Sequence, residues 1–161
     1  MVGRGFYSIF IAHIPTMKRK NIKLLIIILT MFIARYGVAQ NPVNWTPDQL
    51  IEPSQLAKVI KEDKSVPIIF SVGPGAIIKN STDIGMVKEK DNIAAFKKKL
   101  ATLPKDANVV VYCGCCPFDH CPNVRPAIDV LKEMKFTNYK LLNLPHNVKT
   151  DWIEKGYPVT Q

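Results

Sequence analysis

All four cysteines of the chain fall in one short segment, at Cys113, Cys115, Cys116 and Cys121. A cysteine thiolate is both a nucleophile and a ligand for soft metals, so such a cluster can attack a substrate, exchange disulfides or bind a metal. A disulfide between any two of these residues closes only a short loop and stabilises a fold little in the chain-entropy model. The cluster therefore predicts a chemical role rather than a structural framework.

The residues around the cluster predict a strand before it and a helix after it. Residues 109–112 (VVVY) are apolar and mostly β-branched, which is typical of a strand buried on both faces. Pro126 suits the first turn of the helix, where its missing N–H has no partner in any case. Apolar residues then recur at helical spacing, at Ala127, Val130, Leu131 and Met134.

Cys113 is the predicted nucleophile. It directly follows the strand, and in open α/β sheets active sites gather at the carboxyl ends of the strands. The helix that follows presents unpaired N–H groups and the positive end of its macrodipole, which stabilise a thiolate. Arg125 adds a fixed positive charge beside the loop.

Strand and helix patterns alternate along the rest of the chain. They predict one α/β domain with a central, mostly parallel sheet flanked by helices. Further strands are predicted at residues 67–72 and 139–144, and helices from Ser54, from Asp91 and over residues 151–155. The stretch 73–90, which begins with a Gly-Pro-Gly turn, is predicted to be irregular.

The second half of the chain resembles the C-terminal half of a rhodanese domain. The likeness rests on the order strand, cysteine, loop, arginine and helix, on KFTNYKLL at residues 135–142 and on WIEKGYPV at residues 152–159. It implies a rhodanese-like fold, a persulfide-carrying cysteine at Cys113 and a loop-closing arginine at Arg125. The loop is longer than the tight ring typical of that family, and it carries three further cysteines and His120.

The resemblance implies a sulfurtransferase without a cofactor. The Cys113 thiolate would take the outer sulfur of a small donor, such as thiosulfate or a persulfide, and pass it to a thiol or to cyanide. Three further cysteines are candidate resolving thiols, which would release the sulfur as a disulfide forms: Cys115, Cys116 and Cys121. The loop groups expected to hold the anion are Gly114, Cys115, Cys116, Phe118, His120, Cys121, Asn123 and Val124.

A non-enzymatic protein that binds a metal or senses oxidation is the alternative. Thiolates and imidazoles are ligands for zinc and copper. The residues that would supply them are Cys115, Cys116, His120 and Cys121. Their spacing differs from the paired C-x2-C units of zinc fingers. Thiol–disulfide exchange is a third hypothesis.

The N-terminal part of the chain has the pattern of a secretory signal peptide. Basic residues at 18–23 precede an apolar run at 24–34, and small residues end the pattern at Ala39. The run is shorter than the roughly 20 residues that a membrane span needs. We therefore expect residues 1–39 to be cleaved and the protein to be exported, to the periplasm or another extracytoplasmic location, without a stable membrane span. Residues 1–16 are interpreted as an over-extended start.

Loss of the leader would change the charge of the chain. Its six basic residues account for most of the formal +9, which leaves about +3 and gives no reason to expect a nucleic-acid partner. We expect the mature chain to consist of an extended segment at residues 40–48 and one domain at residues 49–161. Its expected partners are a small sulfur donor and a thiol acceptor.

Overall fold

The computed structural model of the protein describes residues 45–161. The predicted leader and residues 40–44 of the predicted extended segment lie outside this part of the chain. No helix within residues 45–161 is both long enough and apolar enough to cross a membrane.

In the described part of the chain, five strands form one sheet in the order β1–β5–β4–β2–β3, and all neighbouring pairs are parallel. The strands are Leu50–Ile51 (β1), Ile68–Ser71 (β2), Ser81–Asp83 (β3), Val109–Tyr112 (β4) and Tyr139–Leu142 (β5). Parallel strands end at the same edge of a sheet, so the segments that follow β2, β4 and β5 come together there.

The central strand, β4, is buried on both faces. Val109 and Val111 belong to one hydrophobic cluster, whereas Val110 and Tyr112 belong to another. Successive side chains of a strand point to opposite faces, so the two clusters lie on opposite sides of the sheet. The strand that leads to Cys113 is therefore held from both sides.

Within residues 45–161, three α-helices cover the two faces of the sheet. Helix α1, Pro53–Glu62, contributes to the cluster that contains Tyr112. Helices α2, Lys90–Leu100, and α3, Val124–Glu133, contribute to the cluster that contains Val111. This part of the chain is thus a three-layer α/β structure.

Each helix buries residues that are four positions apart and therefore share one face. Leu56 and Ile60 are buried in α1, and Phe96 and Leu100 are buried in α2. Burial of a side chain of this size stabilises the fold by about 1.5–3 kcal/mol. These pairs therefore face the sheet and help to dock α1 and α2 onto it.

The described part of the chain also contains two short helical turns. A 3-10 turn at Pro47–Gln49 precedes β1, and a π-helical turn at Lys149–Ile153 follows β5. The π-helical turn buries Trp152, whose indole N–H donates a hydrogen bond to the Pro158 carbonyl at 2.9 Å. The WIEKGYPV segment therefore closes back onto the core.

The predicted α/β fold is confirmed, and the strands predicted at residues 67–72 and 139–144 are β2 and β5 with slightly shorter bounds. The prediction of an irregular stretch at residues 73–90 is wrong in part, because β3 lies within it. The sequence also gave no indication of β1, and the predicted extended segment ends in the 3-10 turn rather than in extended backbone.

Candidate active site

Cys113 is the first residue of the cysteine loop (residues 113–123), which joins β4 to α3. Only 2% of Cys113 is exposed. Gly73, which lies beyond the end of the neighbouring strand β2, packs directly against its sulfur. A Cβ atom added to Gly73 would lie 2.5 Å from the Cys113 Sγ, too close for any side chain. Glycine at position 73 is therefore what leaves room for the thiol.

Asn123, at the far end of the cysteine loop, connects Cys113 to the segment before α2. Its Oδ1 accepts a hydrogen bond from the Lys88 backbone N–H at 3.1 Å, and its Nδ2 faces the Cys113 Sγ at 3.7 Å. The first bond fixes the orientation of the amide, so the group that reaches the sulfur is the NH₂ donor. Asn123 is buried. A donor held in this way favours the thiolate over the thiol.

The four sulfur atoms form one cluster, in which every Sγ lies within 4.8 Å of the others. The Cys115 Sγ is 3.3 Å from the Cys113 Sγ and 3.3 Å from the Cys116 Sγ. Cys113 and Cys121 are buried, Cys116 is half-buried and Cys115 is exposed. The cluster therefore extends from the interior of the protein to its surface.

The surroundings of the thiols separate their pKa values. The hydrogen bond from Cys121 is the largest cause that lowers the pKa of Cys113 to about 5, although burial acts in the opposite direction. Hydrogen bonds from Cys115 and Asn123 lower it further. The pKa of Cys121 is raised, chiefly because its proton serves that hydrogen bond. Partial burial, together with hydrogen bonds to Cys116 and Cys113, raises the pKa of Cys115 to about 12.

The middle of the cysteine loop is held by a strap segment, residues 144–148, which follows β5. The Phe118 N–H donates to the Leu144 carbonyl at 3.1 Å, and the Val148 N–H donates to the Gly114 carbonyl at 2.9 Å. A Cβ atom on Gly114 would lie 2.9 Å from a methyl carbon of Val148. The loop is long, but backbone hydrogen bonds fix its position.

Asp151 in turn fixes the strap segment. Its carboxylate accepts hydrogen bonds from the backbone N–H groups of His146 and Asn147, at 2.7 and 3.1 Å, and lies 2.9 Å from the His146 Nδ1. Burial favours the neutral acid, but the hydrogen bonds with His146 and Asn147 outweigh it and lower the pKa of Asp151. The strap segment is thus organised around a charged carboxylate.

Arg125 contacts the cysteine loop and not the thiolate. Its Nη2 donates to the Asp119 carbonyl at 3.4 Å, and its guanidinium carbon lies 5.6 Å from the centre of the Trp45 ring. Within residues 45–161 it makes no hydrogen bond to Cys113. The side chain therefore links the loop to the segment that precedes β1.

His120 lies apart from the sulfur cluster. Its side chain is 82% exposed, and its Nδ1 is 2.7 Å from the Asp119 Oδ1. The predicted metal ligands Cys115, Cys116 and Cys121 do come together, but Cys113 and not His120 is the fourth member of the group. Both remaining loop candidates have packing contacts, since Phe118 lies against the core and Val124 is buried in α3.

Three contributors to the site come from segments whose sequence patterns did not indicate a place in it. They are Gly73, the backbone of Lys88 and the strap segment. Gly73 is the first residue of the Gly-Pro-Gly motif, but that motif indicated only a turn and not a contact with Cys113. The other two act through backbone groups, which leave no mark in side-chain patterns.

The protein is similar to known proteins in structure but not in sequence. No family model matches the chain, and a search of curated proteins gave no match. A single-domain sulfurtransferase of Saccharomyces cerevisiae, RDL2, matches with a TM-score of 0.51 and 12% identity over 71% of this chain and 94% of that one. A protein from Lactobacillus plantarum matches with a TM-score of 0.50 and 16% identity over 90% of this chain and 100% of that one.

A complex of EanB with hercynine matches with a TM-score of 0.49 and 15% identity, over 70% of this chain and 27% of EanB. At identities this low, the matches concern the fold alone. One conclusion follows from the parallel sheet, from the cysteine loop between its central strand and α3, and from the likeness to RDL2. This part of the chain has a rhodanese-like fold.

Proposed function

We propose that this protein is a sulfurtransferase that carries sulfane sulfur as a persulfide on Cys113. The observation that supports this most is the position of the Cys113 thiol. It lies at the carboxyl end of β4, beside Gly73, with the amide donor of Asn123 directed at its sulfur. Its pKa of about 5 agrees with a thiolate at neutral pH. Likeness to RDL2, whose name describes a sulfurtransferase, is consistent with the proposal.

In the proposed reaction, the Cys113 thiolate attacks the outer sulfur of thiosulfate. The S–S bond of the donor breaks, sulfite leaves with the electron pair, and Cys113 keeps the sulfur as a persulfide. A thiolate or cyanide then attacks the outer sulfur of this persulfide and releases the Cys113 thiolate. Asn123 donates a hydrogen bond to that thiolate, and Cys121 lowers the pKa of Cys113, so both assist it as nucleophile and as leaving group.

The test is the intact mass of the reduced protein before and after thiosulfate, under exclusion of oxygen. We expect a gain of one sulfur atom that is reversed by a reductant and is absent in Cys113→Ala. Gain of the same sulfur by Cys113→Ala would assign it to another cysteine. Absence of any gain in the wild-type protein, with persulfide donors as well as thiosulfate, would refute the proposal.

We also propose that the protein acts outside the cytoplasm, on the basis of the leader pattern at residues 1–39. The expected mature chain begins at Gln40. Its N-terminal sequence, measured after expression in a Gram-negative host with separation of periplasm and cytoplasm, tests this directly. A chain that stays uncleaved in the cytoplasm would contradict it.

A soft-metal site is the second candidate function, and the sulfur cluster is the observation that favours it. Zinc binds thiolates at about 2.3 Å, so the sulfurs of a tetrahedral site lie roughly 3.8 Å apart, within the range that this cluster spans. The ligands would be Cys113, Cys115, Cys116 and Cys121. Native mass spectrometry of protein offered zinc or copper(I) would show one bound ion that Cys121→Ser loses. Protein that binds neither ion would exclude this function.

A further inference from the structure

The contacts around the Cys113 sulfur leave it one exposed neighbour. Gly73 closes one side of the sulfur, and both Asn123 and Cys121 are 2% exposed. Cys115 is the exception, because it is exposed and its Sγ lies 3.3 Å from the Cys113 Sγ. The Cys113 thiol is therefore buried, but it is within reach of a thiol at the surface.

This arrangement matters for the size of the acceptor. A small anion such as cyanide needs little access, whereas a cysteine on a folded protein brings its backbone and neighbouring side chains with it. At 2% exposure, Cys113 offers such a cysteine almost no surface. Cys115 offers an exposed thiol at the same site.

We propose that Cys115 relays the sulfur from Cys113 to a cysteine thiol of an acceptor protein. The inference rests on the proposed function, since it begins from a persulfide on Cys113. It adds a second sulfur carrier to the reaction and names the acceptor class.

The relay step balances without an oxidant or a reductant. The Cys115 thiol first gives its proton to the outer sulfur of the Cys113 persulfide anion. The Cys115 thiolate then attacks that outer sulfur, and the S–S bond to Cys113 breaks. Cys113 leaves as a thiolate, and Cys115 holds the persulfide. The acceptor thiolate finally attacks the outer sulfur on Cys115, takes it as its own persulfide and releases the Cys115 thiolate.

The other two cysteines are less suited to this role. Cys121 is as buried as Cys113, so transfer to it would not bring the sulfur nearer to the surface. Cys116 is half-buried, and the sulfur that its Sγ contacts at 3.3 Å is that of Cys115. The Cys116 thiol is therefore less accessible to an acceptor protein than the Cys115 thiol, although its sulfur also lies within 4.8 Å of the Cys113 sulfur.

The experiment compares two acceptors for protein loaded with one sulfane sulfur. One acceptor is cyanide, and the other is a folded protein of unrelated sequence with a single exposed cysteine. We expect the rate to the protein thiol, divided by the rate to cyanide, to fall by about tenfold or more in Cys115→Ser. The same ratio in Asn138→Asp, an exposed position outside the cysteine loop, should stay within about threefold of the wild-type value.

A Cys115→Ser ratio equal to the wild-type ratio would overturn the relay, because the acceptor protein would then reach Cys113 directly. Wild-type protein that takes up no sulfur would instead refute the proposed function itself, so the two failures are distinguishable. Fragmentation of the alkylated, loaded protein adds a second readout. Sulfur found on both Cys113 and Cys115 supports the relay, and sulfur confined to Cys113 contradicts it.

Discussion

Cys113 and Cys115 are separated by one residue and their sulfur atoms by 3.3 Å, but their surroundings differ. Cys113 directly follows the central strand and is enclosed by Gly73, Asn123 and Cys121. Cys115 lies on the exposed part of the loop. Their pKa values move in opposite directions, to about 5 and about 12. The comparison teaches that the surroundings of a thiol, both its hydrogen-bond partners and its burial, decide which of two neighbouring cysteines serves as the thiolate.

The largest expected effect is on the pH dependence of alkylation of these two thiols. A thiolate with a lowered pKa persists as the pH falls to about 5, so the labelling rate of Cys113 should stay constant above that pH and decline below it. Cys115 should label faster as pH rises. Between pH values of about 5 and about 12, the labelling rate of Cys113 divided by that of Cys115 should therefore fall about tenfold for each pH unit. Peptide mass spectrometry after brief iodoacetamide treatment measures both rates. Parallel pH profiles would contradict the difference.

Gly73→Ala should remove the space that the Cys113 sulfur occupies. Because the new Cβ would lie 2.5 Å from the Sγ, the loop must shift. We expect sulfur uptake to fall by about a hundredfold and the free energy of unfolding by about 1–3 kcal/mol. Gly75→Ala is the control, since its Cβ meets no atom within 4 Å although its φ is +78°. That variant should cost about 1 kcal/mol and keep sulfur uptake.

Asn123→Asp should destabilise the Cys113 thiolate relative to its thiol, while the side chain at position 123 keeps nearly the same shape. The carboxylate can still accept the Lys88 N–H, but it replaces the donor near the Cys113 sulfur with a negative charge. The pKa of Cys113 should rise, and its labelling rate below neutral pH should fall about tenfold per unit of that rise.

The matched control is Asn138→Asp, an exposed position whose amide contacts the Asp106 carbonyl. Labelling of Cys113 in that variant should follow the wild-type pH profile. An unchanged profile in Asn123→Asp would show that Asn123 does not stabilise the thiolate.

Asp151→Asn should have the smallest effect, because Asp151 acts on the loop only through the strap segment. Loss of the charge weakens the hydrogen bonds from His146 and Asn147, for an expected destabilisation of about 1–2 kcal/mol at neutral pH. The lowered pKa means that this stability is present above the unfolded-state pKa and is lost as pH falls through the folded-state pKa. Denaturant unfolding should therefore show the two proteins converging in acid.

Asp119→Asn is the comparison for that variant. Asp119 also pairs with a neighbouring histidine, but its side chain is 42% exposed, against 11% for Asp151. An exposed pair of this kind contributes at most about 1 kcal/mol. An equal loss of stability in the two variants would show that burial of Asp151 is unimportant.

The sequence was informative where the signal lies in consecutive residues. The apolar run at residues 109–112 predicted β4, and the helical spacing after Pro126 predicted α3, because a central strand and a docked helix must bury regular sets of side chains. The short strands β1 and β3 carry no such pattern. Both lie at an edge of the sheet, where side chains are half-buried and pairing with a single neighbour determines the structure.

The candidate site, like the fold, could be predicted only in part from the sequence. Cys113 and the other cysteines were placed in one loop by their proximity along the chain. What surrounds the sulfur comes from elsewhere: Gly73 from the end of β2, the Lys88 N–H from before α2, and the strap segment from after β5. These contacts exist because parallel strands end at one edge of the sheet, which is a property of the fold and not of any single motif.

The double-sided burial of β4 has a consequence for hydrogen exchange. Amides of a central strand that is packed on both faces exchange only when the whole domain opens, whereas amides that bridge two loops exchange by local opening. Tyr112 and the residues before it should therefore be among the slowest amides, and Phe118 and Val148 should exchange earlier. The cysteine loop can then open and close many times while Tyr112, the residue that precedes Cys113, keeps its place. Each closing therefore returns the Cys113 sulfur to the same surroundings.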